Sequence, residues 1–123
     1  MKYFFLFFSF DYMINETTLL YYTTSIEMVL KELRAEKGIN MGLTKPASQS
    51  FINTDFEHKY GITINMGRNE SNPNFEMKTL FYLCDYFKIS IIDFFKRVSN
   101  IHEKEIIQFL EDKGKRKKSR TKK

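Results

Sequence analysis

Apolar residues recur at spacings of three and four from Ile26 onward: Ile26, Val29, Leu30 and Leu33. That spacing lays one stripe along a helix and predicts a helix over residues 26–37. Ser25 offers an N-cap hydroxyl, Glu27 sits in the first turn, Arg34 and Lys37 near the end, and Gly38 offers a left-handed stop. Residues 12–24 are rich in Thr and Tyr without a helical period and read as strand or coil. Thr44-Lys45-Pro46-Ala47 reads as a helix start, because Pro is tolerated in a first turn. Ala47, Phe51, Ile52 and Phe56 would then face inward. Next, Tyr60, Ile62, Ile64 and Met66 alternate with Gly61, Thr63, Asn65 and Gly67. A period of two between glycines predicts a strand or hairpin near 60–66. Residues 68–73 end on Asn72-Pro73 and read as a turn.

Helical spacing returns from Asn74, with Met77, Leu80, Phe81, Cys84 and Phe87 on one stripe. Ser90 can cap a short helix through Ile91, Ile92, Phe94 and Phe95. Asn100 and Glu103 form a capping pair for a last helix whose apolar face is Ile106, Ile107, Phe109 and Leu110. Gly114 would end it. The pattern is that of a mainly α protein.

The 123 residues suffice for one domain, and a 42% hydrophobic content supplies a modest core rich in Phe and Tyr. The expected organisation is an extension over 1–25, a helical domain over 26–97, a helix over 98–112 and a basic tail over 113–123. The apolar run Tyr3 to Phe10 follows Met1-Lys2, the outline of a signal peptide. It is short and aromatic and lacks a small-x-small site, and a bilayer span needs about 20 residues. It reads as a packing or disordered extension, as the product of a start upstream of Met13 or Met28, or as an export segment. The single cysteine, Cys84, lies in an apolar stretch and reads as a core residue. With no intrachain disulfide available, a reducing compartment, the cytoplasm, is the simpler setting.

Charge changes the picture at one end only. The net charge is +5, yet Lys113 to Lys123 hold eight basic residues and no acidic one, so the residues before them are net acidic. Such a run is expected to stay disordered and to bind phosphates by displacing condensed counterions. No catalytic constellation, metal-ligand set, cofactor motif or Gly-rich phosphate loop is visible, and His58 and His102 each stand beside a glutamate.

Three pieces together resemble the Cro/repressor-type (XRE) helix-turn-helix family. Leu30-Lys31-Glu32-Leu33-Arg34-Ala35-Glu36-Lys37-Gly38 resembles its first helix, and Ser48-Gln49-Ser50-Phe51-Ile52-Asn53 resembles the start of its recognition helix. Gly67 to Pro73, Leu80 to Ser90 and Asp93-Phe94-Phe95 resemble its turn, fourth helix and fifth helix. The likeness spans about residues 26–97. Two departures stand out. Ile39 to Pro46 replaces the family's Gln-x-x-x-Ala second helix, and Tyr60 to Met66 stands where a Glu-x-Gly should lead into the Asn-Pro. Either a strand-like insertion separates reader from turn, or the likeness of Ser48–Asn53 is fortuitous.

The resemblance implies a lambda-repressor-like bundle of about five short helices that binds double-stranded DNA as a homodimer, without metal, membrane or cofactor. A reader of this kind meets base edges near its helix N-terminus. Gln49 and Asn53 could each pair with adenine, and Ser48 and Ser50 could bond phosphate or base. Lys45, Lys59 and Arg68 are candidate phosphate contacts, with Asn69 beside them in the turn. Lys115, Arg116, Lys117, Lys118 and Arg120 would add grip from the tail. Phe94, Phe95 and the helix over 101–112 could form the dimer face. Competing expectations are a non-enzymatic or RNA-binding protein with a degenerate helix-turn-helix, or an antitoxin.

Overall fold

Asn15 begins the first element by accepting the Thr18 N–H on its side chain at 2.8 Å, and Glu16 places a negative charge in the first turn. The computed structural model describes residues 14–121 and is mainly α. Its elements are α1 (Glu16–Asn40), α2 (Gln49–Tyr60), α3 (Met66–Ser71), α4 (Met77–Tyr86), α5 (Ile91–Asn100) and α6 (Glu103–Thr121). Residues 1–13, including the Phe-rich run and Met13, lie outside the described residues.

α1 is longer than expected at 25 residues, and it absorbs the Thr/Tyr segment that read as strand or coil. Tertiary burial overrides weak local preference there: Thr24, Ser25 and Glu27 are all buried. Ser25 is not a cap, since its hydroxyl donates to the Tyr21 carbonyl one turn back at 2.9 Å. Nor does Gly38 end the helix. The left-handed residue is Gly42, and Gly38 serves a different purpose. The chain crosses α1 there, with the Ala47 N–H donating to the Arg34 carbonyl, and a Cβ at residue 38 would overlap the Lys45 carbonyl oxygen.

The core collects Val29, Leu30 and Leu33 from α1, Ile52 and Phe56 from α2, and Met66 from α3. Leu80, Leu83, Cys84 and Tyr86 of α4, Phe94 of α5 and Ala47 of the crossing loop complete it. α1 is the central rod, packed by α3, α5 and α6. Arg97 of α5 donates to Glu32 at 2.7 Å and Glu36 at 2.6 Å, which ties α5 across to α1. On α4 the expected stripe is rotated. Met77 and Phe81 are exposed, while Leu83 and Tyr86 are buried.

No strand is present among the described residues. Gly61, with φ of 68°, stops α2, and residues 62–65 run extended only until α3 begins. The alternation of Tyr60, Ile62, Ile64 and Met66 therefore belongs to a crossing segment whose apolar members lean on the core. The expected turn at 68–73 is helical through Ser71. α2 starts at Ser48–Gln49 rather than at Thr44–Ala47. The Ser90 cap holds, accepting the Asp93 N–H at 3.0 Å. The last helix is capped two residues later than expected, with the His102 N–H donating to Glu105 at 2.9 Å. It passes through Gly114 to Thr121, so the basic segment is helical as far as it is described, and the boundary expected at 112/113 falls inside α6.

Candidate nucleic-acid interface

Glu70, in the last turn of α3, is 1% exposed and gathers partners from two other helices. The Arg34 guanidinium donates to both its oxygens, through Nε to Oε2 and through Nη2 to Oε1 at 3.1 Å. Gln49 Nε2 of α2 donates to Oε1 at 2.9 Å, and Lys31 Nζ stands 3.8 Å from the same oxygen. The remaining Arg34 nitrogen, Nη1, donates to the Ala47 carbonyl at 2.7 Å. A carboxylate removed from water needs such company, because desolvation outweighs a single poorly placed partner. This one group locks α3 onto α1 and α2.

A second tie fixes the start of α3. Asn53 Oδ1 accepts the Met66 N–H at 2.7 Å, and Asn65 Oδ1 accepts the Arg68 N–H at 3.0 Å. α2, the left-handed Gly61 and α3 thus form two helices joined by a short extended turn, held in one geometry by polar contacts. Met66 plugs the junction with no exposed surface.

These contacts redistribute the residues expected to touch nucleic acid. Gln49 and Asn53 are half-buried and engaged within the fold, Gln49 on Glu70 and Asn53 on Met66. Ser48 caps α2 by accepting the Phe51 N–H at 3.0 Å, and Ser50 lies 3.3 Å from it, exposed. Lys45 is exposed in the crossing loop. Lys59 is exposed on α2, its ammonium 5.7 Å from the Tyr60 ring. Arg68 is exposed and Asn69 half-buried on α3, and the two share a cleft.

That cleft, about 510 Å³, lies between α3 and the start of α4. Arg68, Asn69, Asn72, Asn74 and Lys78 line it over Phe75. At its edge α4 begins on Glu76, which gives no side-chain cap to the first turn. A helix N-terminus carries partial positive charge, and two cations and three amides suit a phosphate, opposed by the Glu76 carboxylate in the same lining. Asn72, Asn74 and Lys78 were not legible as site residues. The only signal in the sequence is the density of Asn around Pro73.

The basic segment of α6 is tied down by its first cation. Lys113 Nζ lies 2.8 and 3.0 Å from the two Glu27 oxygens, and Ile106 is buried between α6 and α1. The Lys31 ammonium sits 6.0 Å from the Phe109 ring and 3.8 Å from Glu70, so one lysine of α1 faces both α6 and α3. Lys115, Arg116, Lys117, Lys118 and Arg120 continue from there on the last two turns.

Two phenols bridge α2 and α4: Tyr86 donates to Asp55 at 2.7 Å and Tyr60 donates to Asp85. Burial, reinforced by those carboxylates, pushes both phenol pKa values well above the ordinary value. Burial likewise pushes the Cys84 thiol up, which fits a packing role. Among the described residues no His, Cys, Asp and Glu group could hold a metal, and no helix is long and apolar enough to cross a membrane. His58 and His102 are both exposed. Comparison of the chain with protein-family models, curated proteins and solved structures found no match.

Proposed function

We propose that this chain is a cytoplasmic, non-enzymatic DNA-binding regulator, a repressor of the Cro type, in which α2 and α3 form the helix-turn-helix. The carrying observation is the α2–Gly61–α3 unit locked by Glu70, with Arg68, Asn69 and an amide- and cation-lined cleft at its open side. On this reading α3, and not the segment 48–53, presents the reading face. Gln49 and Asn53 hold that face in place. Arg68 and Asn69 have the chemistry for base edges or phosphates, and Asn72, Asn74 and Lys78 for the adjoining backbone.

A six-residue reader makes few contacts, so a two-fold site read by a homodimer is the economical arrangement. Ile92, Phe95 and Ile107 are exposed apolar residues on α5 and α6 that fit a dimer face. Phe94 does not join them, because it is part of the core. The basic turns of α6 supply salt-sensitive phosphate contacts.

Selection from random duplexes followed by mobility-shift titration tests the proposal. A preferred, two-fold-related sequence is expected, with binding weakened in Arg68→Ala. Equal binding to all duplexes at physiological salt overturns it. The concentration of basic residues on one helical arm favours a second reading, an unspecific polyanion binder. Removing residues 114–123 separates the two: a regulator keeps its sequence preference with weaker binding, whereas an unspecific binder loses nearly all affinity.

A further inference from the structure

Two carboxylates are almost fully buried: Glu27 of α1 at 4% exposure and Glu70 of α3 at 1%. One cation lies between them. Lys31 Nζ is 3.8 Å from Glu27 Oε2 and 3.8 Å from Glu70 Oε1. Among the described residues the short contacts of Glu27 are with Lys113, at 2.8 and 3.0 Å, from the start of the basic segment of α6. Glu70 carries α3. The result is an ordered chain of charges from α6 to α3: Lys113, Glu27, Lys31, Glu70.

We propose that Lys113 is a positioning residue for α3, acting through Glu27 and Lys31. Lys113 satisfies Glu27, and that leaves Lys31 shared with Glu70. Without the Lys113 ammonium, a buried carboxylate faces one cation at 3.8 Å, and the desolvated charge draws that cation toward itself. Glu27 and Lys31 lie one turn apart on the same helix, so the side chain closes the gap without backbone movement. Glu70 then keeps Arg34 and Gln49 but loses its second cationic neighbour, and α3 is held less firmly. Docking of the basic arm thereby firms the reading helix, and a polyanion that strips Lys113 from Glu27 loosens it. By linkage, whatever orders α3 favours the docked arm. The inference deepens the DNA-binding reading, in which α3 is the reader, yet its test needs no DNA.

The test is amide exchange in the full, free chain at Asn69 and Asn72, whose N–H groups donate to the Asn65 and Arg68 carbonyls at the two ends of α3. Lys113→Ala is expected to speed exchange at both by about tenfold, within the usual range for coupled sites. Lys113→Arg, which keeps the cation, is expected to remain close to the parent. The discriminating variant is Lys113→Ala with Glu27→Gln. Neutralising Glu27 removes the pull on Lys31, so exchange in α3 is expected to return to about the parental rate while α6 stays released. Unchanged α3 exchange in Lys113→Ala overturns the proposal, as does failure of Glu27→Gln to restore it. Should Lys113→Ala alone fail to fold, recovery of α3 in the double variant supports the relay and its absence overturns it. A chain with this exchange pattern that binds no duplex retains the coupling and loses the DNA reading. A specific binder without the pattern does the reverse.

Discussion

Asn53, one turn into α2, accepts the first N–H of α3 from Met66 at 2.7 Å. A side chain of one helix thus adds to the local cap of the next, which Asn65 supplies, and with the Gln49–Glu70 bond it fixes the angle between them. Replacing it with Ala leaves the Met66 N–H unpaired beside the core, an N-cap loss of about 1–2 kcal/mol. Urea denaturation of Asn53→Ala is expected to show that loss, and Asn53→Asp, which keeps an acceptor, at most half of it. Equal losses in the two variants would remove the capping role.

Glu70→Ala is expected to be the more damaging change. It strips the partner from Arg34, whose side chain is only 13% exposed, and frees Gln49 and Lys31 as well. Breaking a buried pair from one side costs about 3 kcal/mol or more. Calorimetry of Glu70→Ala should show it, whereas Lys104→Ala on the exposed face of α6 should leave the midpoint within about 0.5 kcal/mol of the parent. A Glu70→Ala loss no larger than that of Lys104→Ala would deny Glu70 its role as the tie between three helices.

Alkaline pH should destabilise the fold through its tyrosines. Tyr60 and Tyr86 hold their protons in the native state beyond the ordinary phenol range, first because burial disfavours the phenolate and second because Asp85 and Asp55 accept their bonds. The unfolded chain releases those protons near pH 10, so above that pH it binds fewer protons than the native state. The stabilisation is fully present below about pH 10 and declines as pH rises toward the folded pKa values. Denaturation midpoints between pH 9 and 11 should fall less steeply in Tyr60→Phe with Tyr86→Phe than in the parent, even though the double variant starts lower. Parallel slopes would contradict the assignment.

Salt dependence should divide the cleft from the arm. Each phosphate contact adds about 0.9 to the slope of log affinity against log salt. Removing residues 114–123 should flatten that slope by several contacts and leave the ranking of duplex sequences intact. Arg68→Ala should flatten it by about one at most, and Asn69→Ala should leave it unchanged while altering the ranking. The opposite pattern would place sequence reading on α6.

Much of this was readable along the chain, and the exceptions share a cause. Stripes such as Val29, Leu30 and Leu33 declare their helix, and Ser90 declares a cap, because both signals are local. Glu70 read as part of a turn, since nothing nearby reveals that Arg34, 36 residues earlier, will meet it. Gln49 and Asn53 carried base-pairing chemistry in the right region, but their partners are Glu70 and Met66 across a fold boundary. The basic segment read as disordered because like charges repel in isolation. It is helical because the preceding turns are already anchored to α1 and because cations suit the negative end of a helix dipole.

A helical arm behaves as a lever rather than a leash. Each added residue turns the side chains that follow by about 100° and advances them about 1.5 Å. Inserting one residue after Lys113 would therefore leave the fulcrum in place but swing every later cation more than a quarter of the way around the axis. Four inserted residues would bring them nearly back to their original bearing, about 6 Å farther out. Reach and orientation of the basic end are thus geared together, in a way no flexible tether of equal charge could reproduce.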